Sequence, residues 1–146
     1  MTHKTVTGTL TALDRLEIQE LATGYGVHHD RRDFASLRDC FTSDATYIMR
    51  ITDGPTYGPH EGPEAIVGQI QAFKESQNDV RRHHISNIQI EPLGDDIASV
   101  LSYVLVSATD TDGLAIKTVG TYADTVVRTP EGWRIARKEL QLDSAF

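Results

Sequence analysis

Apolar residues recur at a helical period near the start of this chain and at a period of two through its second half. In "TALDRLEIQELATGYGVHH", Leu13, Leu16, Leu21 and Tyr25, flanked by Ile18 and Ala22, predict one apolar helical stripe. Thr11 and Asp14 form a T-x-x-D capping signature at its start, and Gly24 and Gly26 loosen its end. Asp33 reads as the cap of a short second helix, "FASLRDCF", burying Phe34, Leu37 and Phe41. Two short strands follow, near "ATYIMRI" and "PTYG", with a turn at Asp53-Gly54-Pro55. "EGPEAIVGQIQAFKES" predicts a third helix, capped by Gly62 or Glu61, with Pro63 in first position and Ile66, Ile70 and Phe73 facing inward.

From Val80 onward the pattern alternates. "VRRHHISNIQIEPL", "IASVLSYVLVSATD", "LAIKTVGTYADTVVRT" and "GWRIARKELQLD" predict four long strands, with turns at Gly94-Asp95, Asp112-Gly113 and Pro130-Glu131-Gly132. Helices first and then a meander of strands predict an α+β domain, a curved sheet with helices across its open face. Such a sheet encloses a cavity.

Composition narrows the function. A length of 146 residues suits a single domain spanning 1–146, with about residues 1–10 as a flexible N-terminal segment. The net charge of −7 and the lack of a basic stripe argue against nucleic acid as partner. No apolar run approaches the ~20 residues of a membrane span, and no signal-like segment opens the chain, so the expected location is cytoplasmic. Cys40 is the one cysteine, which excludes an internal disulfide and a cysteine-built metal site.

The passages "YGVHHDRRDFASL", "CFTSDATY", "GPEAI", "RHHISNIQIE", "GTYADTVVR" and "GWRIARKEL" together resemble the SnoaL-like branch of the nuclear transport factor 2-like superfamily, over about Thr11 to Leu142. That resemblance implies a cone-shaped α+β barrel with a deep pocket, assembled as a homodimer or homotrimer. The superfamily includes polyketide cyclases, scytalone dehydratase, a dehydrochlorinase, a bile-acid 7α-dehydratase, ketosteroid isomerase and dioxygenase β subunits, so fold alone leaves function open. By resemblance, Asp30 matches the aspartate at the end of the first helix and His84 the strand histidine of the dehydratases. Tyr25 matches the tyrosine five residues before that aspartate, and Tyr47 a tyrosine on the first strand. Arg137 is the candidate for the polar residue late in the sheet.

The residues themselves add geometry. Strict alternation puts Val80, Arg82, His84, Ser86, Ile88 and Ile90 on one face and His83 on the other, so His84 is expected to point into the cone. Two neighbouring strand residues cannot readily hold one ion, which argues against reading the doublet as a metal site. Tyr25 and His29 share a helix face, whereas Asp30 lies about 140° from Tyr25, so both line one pocket only if the helix ends between them. A carboxylate beside an imidazole orients the ring and stabilises its protonated form. An Asp30–His84 general base is therefore expected, with Tyr25 or Tyr47 aiding a developing oxyanion and Ser86, Tyr122, Trp133 and Arg137 contacting substrate. The alternatives are a buried Asp30–His84 ion pair, Tyr25 as a core aromatic, and a metal set of His28 or His29 with Asp30 and His84. His28, His29 and His83 read as solvated or interfacial. "DGPTYGPHEGP" lacks the ending of a phosphate loop and reads as a mobile edge or lid over the pocket.

The expected function is cofactor-independent elimination, dehydration or isomerisation of a hydrophobic small molecule of polyketide, steroid, terpenoid or aromatic type. The rival is a non-catalytic ligand-binding or assembly subunit like a dioxygenase β chain. A further alternative is epoxide hydrolysis or cyclisation on the same scaffold.

Overall fold

Residues 9–146 are described by the computed structural model. Three helices, α1 (Ala12–Asp30), α2 (Phe34–Arg38) and α3 (Pro63–Glu75), accompany six strands: β1 (Phe41–Ile51), β2 (Thr56–Glu61), β3 (Val80–Pro92), β4 (Ile97–Asp110), β5 (Gly113–Thr129) and β6 (Gly132–Leu142). The strands form one sheet in the order β2-β1-β6-β5-β4-β3. The β1–β6 pair is parallel and every other pair antiparallel. The α+β class and the curved sheet with helices on its concave side are as expected. Phe41 opens β1 rather than closing α2. Most of the expected N-terminal segment lies outside the described residues; Leu10 is buried in the core.

The capping box at Thr11 forms as read: Thr11 Oγ1 accepts from the Asp14 amide, and Asp14 Oδ2 accepts from the Thr11 amide. The buried stripe of α1 differs from the expected one. Leu13 and Leu16 are more than half exposed, and the inward face runs through Asp14, Ile18, Ala22, Tyr25 and Gly26. Asp14 turns the helix this way. Its carboxylate accepts from the Arg128 guanidinium at 2.8 Å and from the Trp133 indole at 3.3 Å, which ties α1 to the β5–β6 end of the sheet. The same guanidinium holds the Asp14 carboxyl well below the usual carboxylate range.

Strand β3 breaks its own alternation. Its register against β4 shifts between Ser86 and Gln89, and Asn87 there has a φ of 55°. One extra residue in a strand inverts the facing of everything before it relative to everything after. Ile88 and Ile90 point inward as expected, but so do Arg81, His83 and Ile85, while Arg82, His84 and Ser86 face out. Asparagine tolerates a left-handed backbone better than most residues, and Ser86 Oγ donates to its side-chain oxygen at 2.7 Å.

Helix α1 crosses β3 closely at Gly26. A Cβ on Gly26 would lie 2.9 Å from Ile85 Cδ1 and 3.3 Å from His83 Cβ. Gly26→Ala therefore turns the end of Ile85 aside and crowds the Cβ and carbonyl oxygen of His83, at 3.3 and 3.4 Å. It is expected to cost ~1–3 kcal/mol of stability, read by urea denaturation.

Candidate functional site

Between the sheet and the helices lies a cavity of about 40 Å³, lined on its apolar side by Met49, Ile70, Phe73, Leu140, Leu142 and Phe146. Its volume suits ~3 water molecules, so a larger ligand must displace side chains such as Phe146, whose ring packs on Phe73 at 5.1 Å. Tyr25, Tyr47 and Tyr122 supply hydroxyls to the wall, and His29, Gln77, Arg81, His83 and Thr118 supply the remaining polar edge.

The imidazole beside Asp30 belongs to His83, not His84. Asp30 Oδ1 lies 2.6 Å from His83 Nδ1, and Asp30 Oδ2 accepts the His83 backbone N–H at 2.8 Å. Both side chains are largely buried, at 10% and 13% exposure. The expected Asp30–His84 pair does not form, because the bulge at Asn87 turns His84 to the outer face, where Nε2 lies 2.9 Å from Ser107 Oγ. The apolar residues carried a signal for this. Ile85, Ile88 and Ile90 all have to be inside, and the three-residue step from 85 to 88 requires one residue to be looped out.

Helix α1 does not end between Tyr25 and Asp30; it continues to Asp30. Tyr25 and His29 line the cavity, while Asp30 stands aside and reaches it through His83. The two-point grip of Asp30 on His83 fixes the ring, and a carboxylate at Nδ1 holds the proton on that nitrogen. Nε2 is then the basic atom of a ring on the cavity wall. Burial pushes the His83 pKa below its usual 6.5, against the opposing pull of Asp30. His29, expected to be solvated or interfacial, packs against His83 with ring centroids 4.0 Å apart and planes tilted by 43°, and burial holds its pKa well below 6.5.

The remaining expected contacts divide. Tyr47 and Tyr122 are in the wall with Tyr25. Burial raises the pKa of all three phenols, so they remain protonated hydrogen-bond donors. Ser86 lies on the outer face, bonded to Asn87; Trp133 is buried against Asp14, away from the cavity; and Arg137 pairs with Glu139. None of these three lines the cavity. Cys40 is buried, with its thiol pushed up to about 11, so it is no nucleophile.

Beneath the tyrosines lies a pair that strict attention to strand phase could have found: Asp124 on β5 and Lys138 on β6, directly opposed in register. Lys138 Nζ lies 3.2 and 3.1 Å from the two Asp124 oxygens. It also sits 4.2 Å from the Tyr25 ring centroid and 3.9 Å from that of Tyr122.

Donor atoms of His29, Asp30 and His83 fall within 4.8 Å of one another, close enough in principle to share a cation. Asp30 has already committed one oxygen to the His83 ring and the other to its backbone N–H, so the cluster is organised as a hydrogen-bonded dyad.

The model of the SnoaL-like domain matches residues 10–139. The uncharacterized protein Rv2910c of Mycobacterium tuberculosis is 33% identical over 127 residues, which span 86% of this chain and 82% of that protein. Two solved structures superpose on most of the chain. A Catenulispora acidiphila protein in complex with S-DNPA has a TM-score of 0.77 and 27% identity, covering 90% of this chain and 95% of that one. A candidate scytalone dehydratase from Novosphingobium aromaticivorans has a TM-score of 0.75 and 25% identity, covering 92% and 87%. With that family pattern running through nearly all its elements, the chain belongs to the SnoaL-like domain family.

Proposed function

We propose that the protein is a small-molecule lyase or isomerase in which His83, oriented by Asp30, is the general base. The observation that carries this reading is the doubly bonded Asp30–His83 pair on the wall of a mostly apolar cavity. In a dehydration, His83 Nε2 takes a proton from an activated C–H, the electron pair becomes the new double bond, and the C–O bond breaks. A phenol with a raised pKa keeps its proton, so it can donate a hydrogen bond but does not itself protonate the leaving group. Tyr25 or Tyr47 therefore holds the departing oxygen by a hydrogen bond, while the new imidazolium returns the proton and water leaves. In an isomerisation the same ring returns the proton to another carbon. Similarity to the candidate scytalone dehydratase, and to a relative with a bound ligand, supports a small-molecule role.

A nitrobenzisoxazole, which opens on loss of one C–H proton, tests the base without knowledge of the natural substrate. Only the neutral ring can accept a proton, and burial lowers its pKa. The rate is therefore expected to be level through neutral pH and to fall on acidification, with a midpoint below 6.5. A rate equal to that of free imidazole, with no such midpoint, rules the base out.

A further inference from the structure

One end of the cavity holds more positive charge and more unmet hydrogen-bonding capacity than the dyad uses. Arg81 lies two residues before His83 on the inward face of β3 and lines the cavity. Its side chain is 9% exposed. Asp79 takes the Arg81 Nε at 2.8 Å and Nη2 at 3.4 Å. Among the described residues Nη1 makes no hydrogen bond. Gln77, also on the wall, has a buried Oε1 with no partner among the described residues; exchange of its amide ends would present an N–H there instead. Lys74, at the end of α3, is 3% exposed and close enough to Asp30, Asp79 and Arg81 for its charge to be felt by them. With Asp30 committed to His83 and Asp79 to Arg81, Lys74 makes no ion pair within 4.0 Å with a carboxylate among the described residues.

We propose that Arg81 and Gln77 read a carboxylate on the ligand, so that the pocket takes a hydrophobic carboxylic acid. This inference rests on the dyad reading for the direction in which the ligand lies. Alternate residues of a strand are ~6.8 Å apart, so an acid group held at Arg81 places carbons two or three bonds away beside His83 Nε2. The rest of the ligand lies against Phe73, Met49 and Leu142. A guanidinium presenting a free N–H in a largely dry site suits an oxyanion well, and an uncharged isostere leaves it unmatched.

The test is calorimetric titration with four acids (benzoate, cinnamate, naphthoate and decanoate) and their primary amides. Wild-type protein is expected to bind at least one acid ~10-fold or more tightly than its amide. Arg81→Gln is expected to bring that ratio close to unity. Asp79→Asn, which frees the guanidinium, is expected to increase it, and this arm stands even if Arg81→Gln fails to fold. His83→Gln is expected to keep the preference, so the acid reading and the base reading can fail separately. Equal affinity for acids and amides, a preference that survives Arg81→Gln, a lower ratio in Asp79→Asn, or no acid bound at all overturns the proposal.

Discussion

His83→Ala lowers the rate of nitrobenzisoxazole opening by ~10²–10⁴-fold, the usual contribution of a positioned general base. His84→Ala, one residue along, leaves it within about twofold, as expected for a side chain that faces outward and bonds Ser107. Asp30→Asn lowers it too, because an amide can donate to Nδ1 and hold the ring in the tautomer whose Nε2 carries the proton. Circular dichroism on each variant separates loss of the base from loss of the fold. A large loss in His84→Ala together with a silent His83→Ala would reverse the assignment. The pairing of the two substitutions makes the comparison strong: they share sequence context and residue type, and differ only in the face of β3 they occupy.

That difference marks the limit of what local sequence determines. Capping at Thr11 and Asp33, the Gly62-Pro63 start of α3 and the four long strands are local matters of turn chemistry and period, and they were legible. Facing is not local. The phase of β3 depends on a single left-handed residue, Asn87, and a rule of strict alternation applied across it selects the wrong histidine. The α1 stripe went astray for a related reason. Hydrophobicity favoured Leu13 and Leu16, but the ion pair of Asp14 with Arg128, 114 residues away, decides which side of the helix faces the sheet. Asp30 needs no phase argument, since it ends the helix beside β3, whereas which histidine meets it depends on the phase of that strand.

Lys138→Met is expected to destabilise the protein by ~3–5 kcal/mol, because it leaves Asp124 buried without its counter-charge. The two are among the most enclosed charged side chains described, at 1% and 4% exposure, and the ammonium bonds both carboxylate oxygens. The loss depends on pH in a defined direction. Burial raises the Asp124 carboxyl above its usual 3.8 even with Lys138 present, and more so without it. An acid whose folded pKa exceeds its unfolded one favours folding at low pH and loses that contribution as pH rises through the folded value. The variant is therefore closest to wild type in mild acid and furthest from it at neutral pH. Burial lowers the Lys138 pKa below 10.5, so in alkali the wild type loses its ammonium too and the difference narrows. Urea unfolding followed by Trp133 fluorescence at several pH values reads this directly. The double variant Asp124→Leu/Lys138→Met removes both charges and is expected to recover most of the stability, since a matched apolar pair often replaces a buried ion pair without loss. A cost below ~1 kcal/mol for Lys138→Met alone, flat with pH, would mean that the ammonium is not a paired buried charge. Recovery of stability in the double variant need not restore the site. The cation lies against the Tyr25 and Tyr122 rings on the cavity wall, and methionine supplies no such charge there. A double variant that is stable but slower on the probe than wild type would assign the pair to the tuning of the tyrosine wall rather than to holding the sheet together.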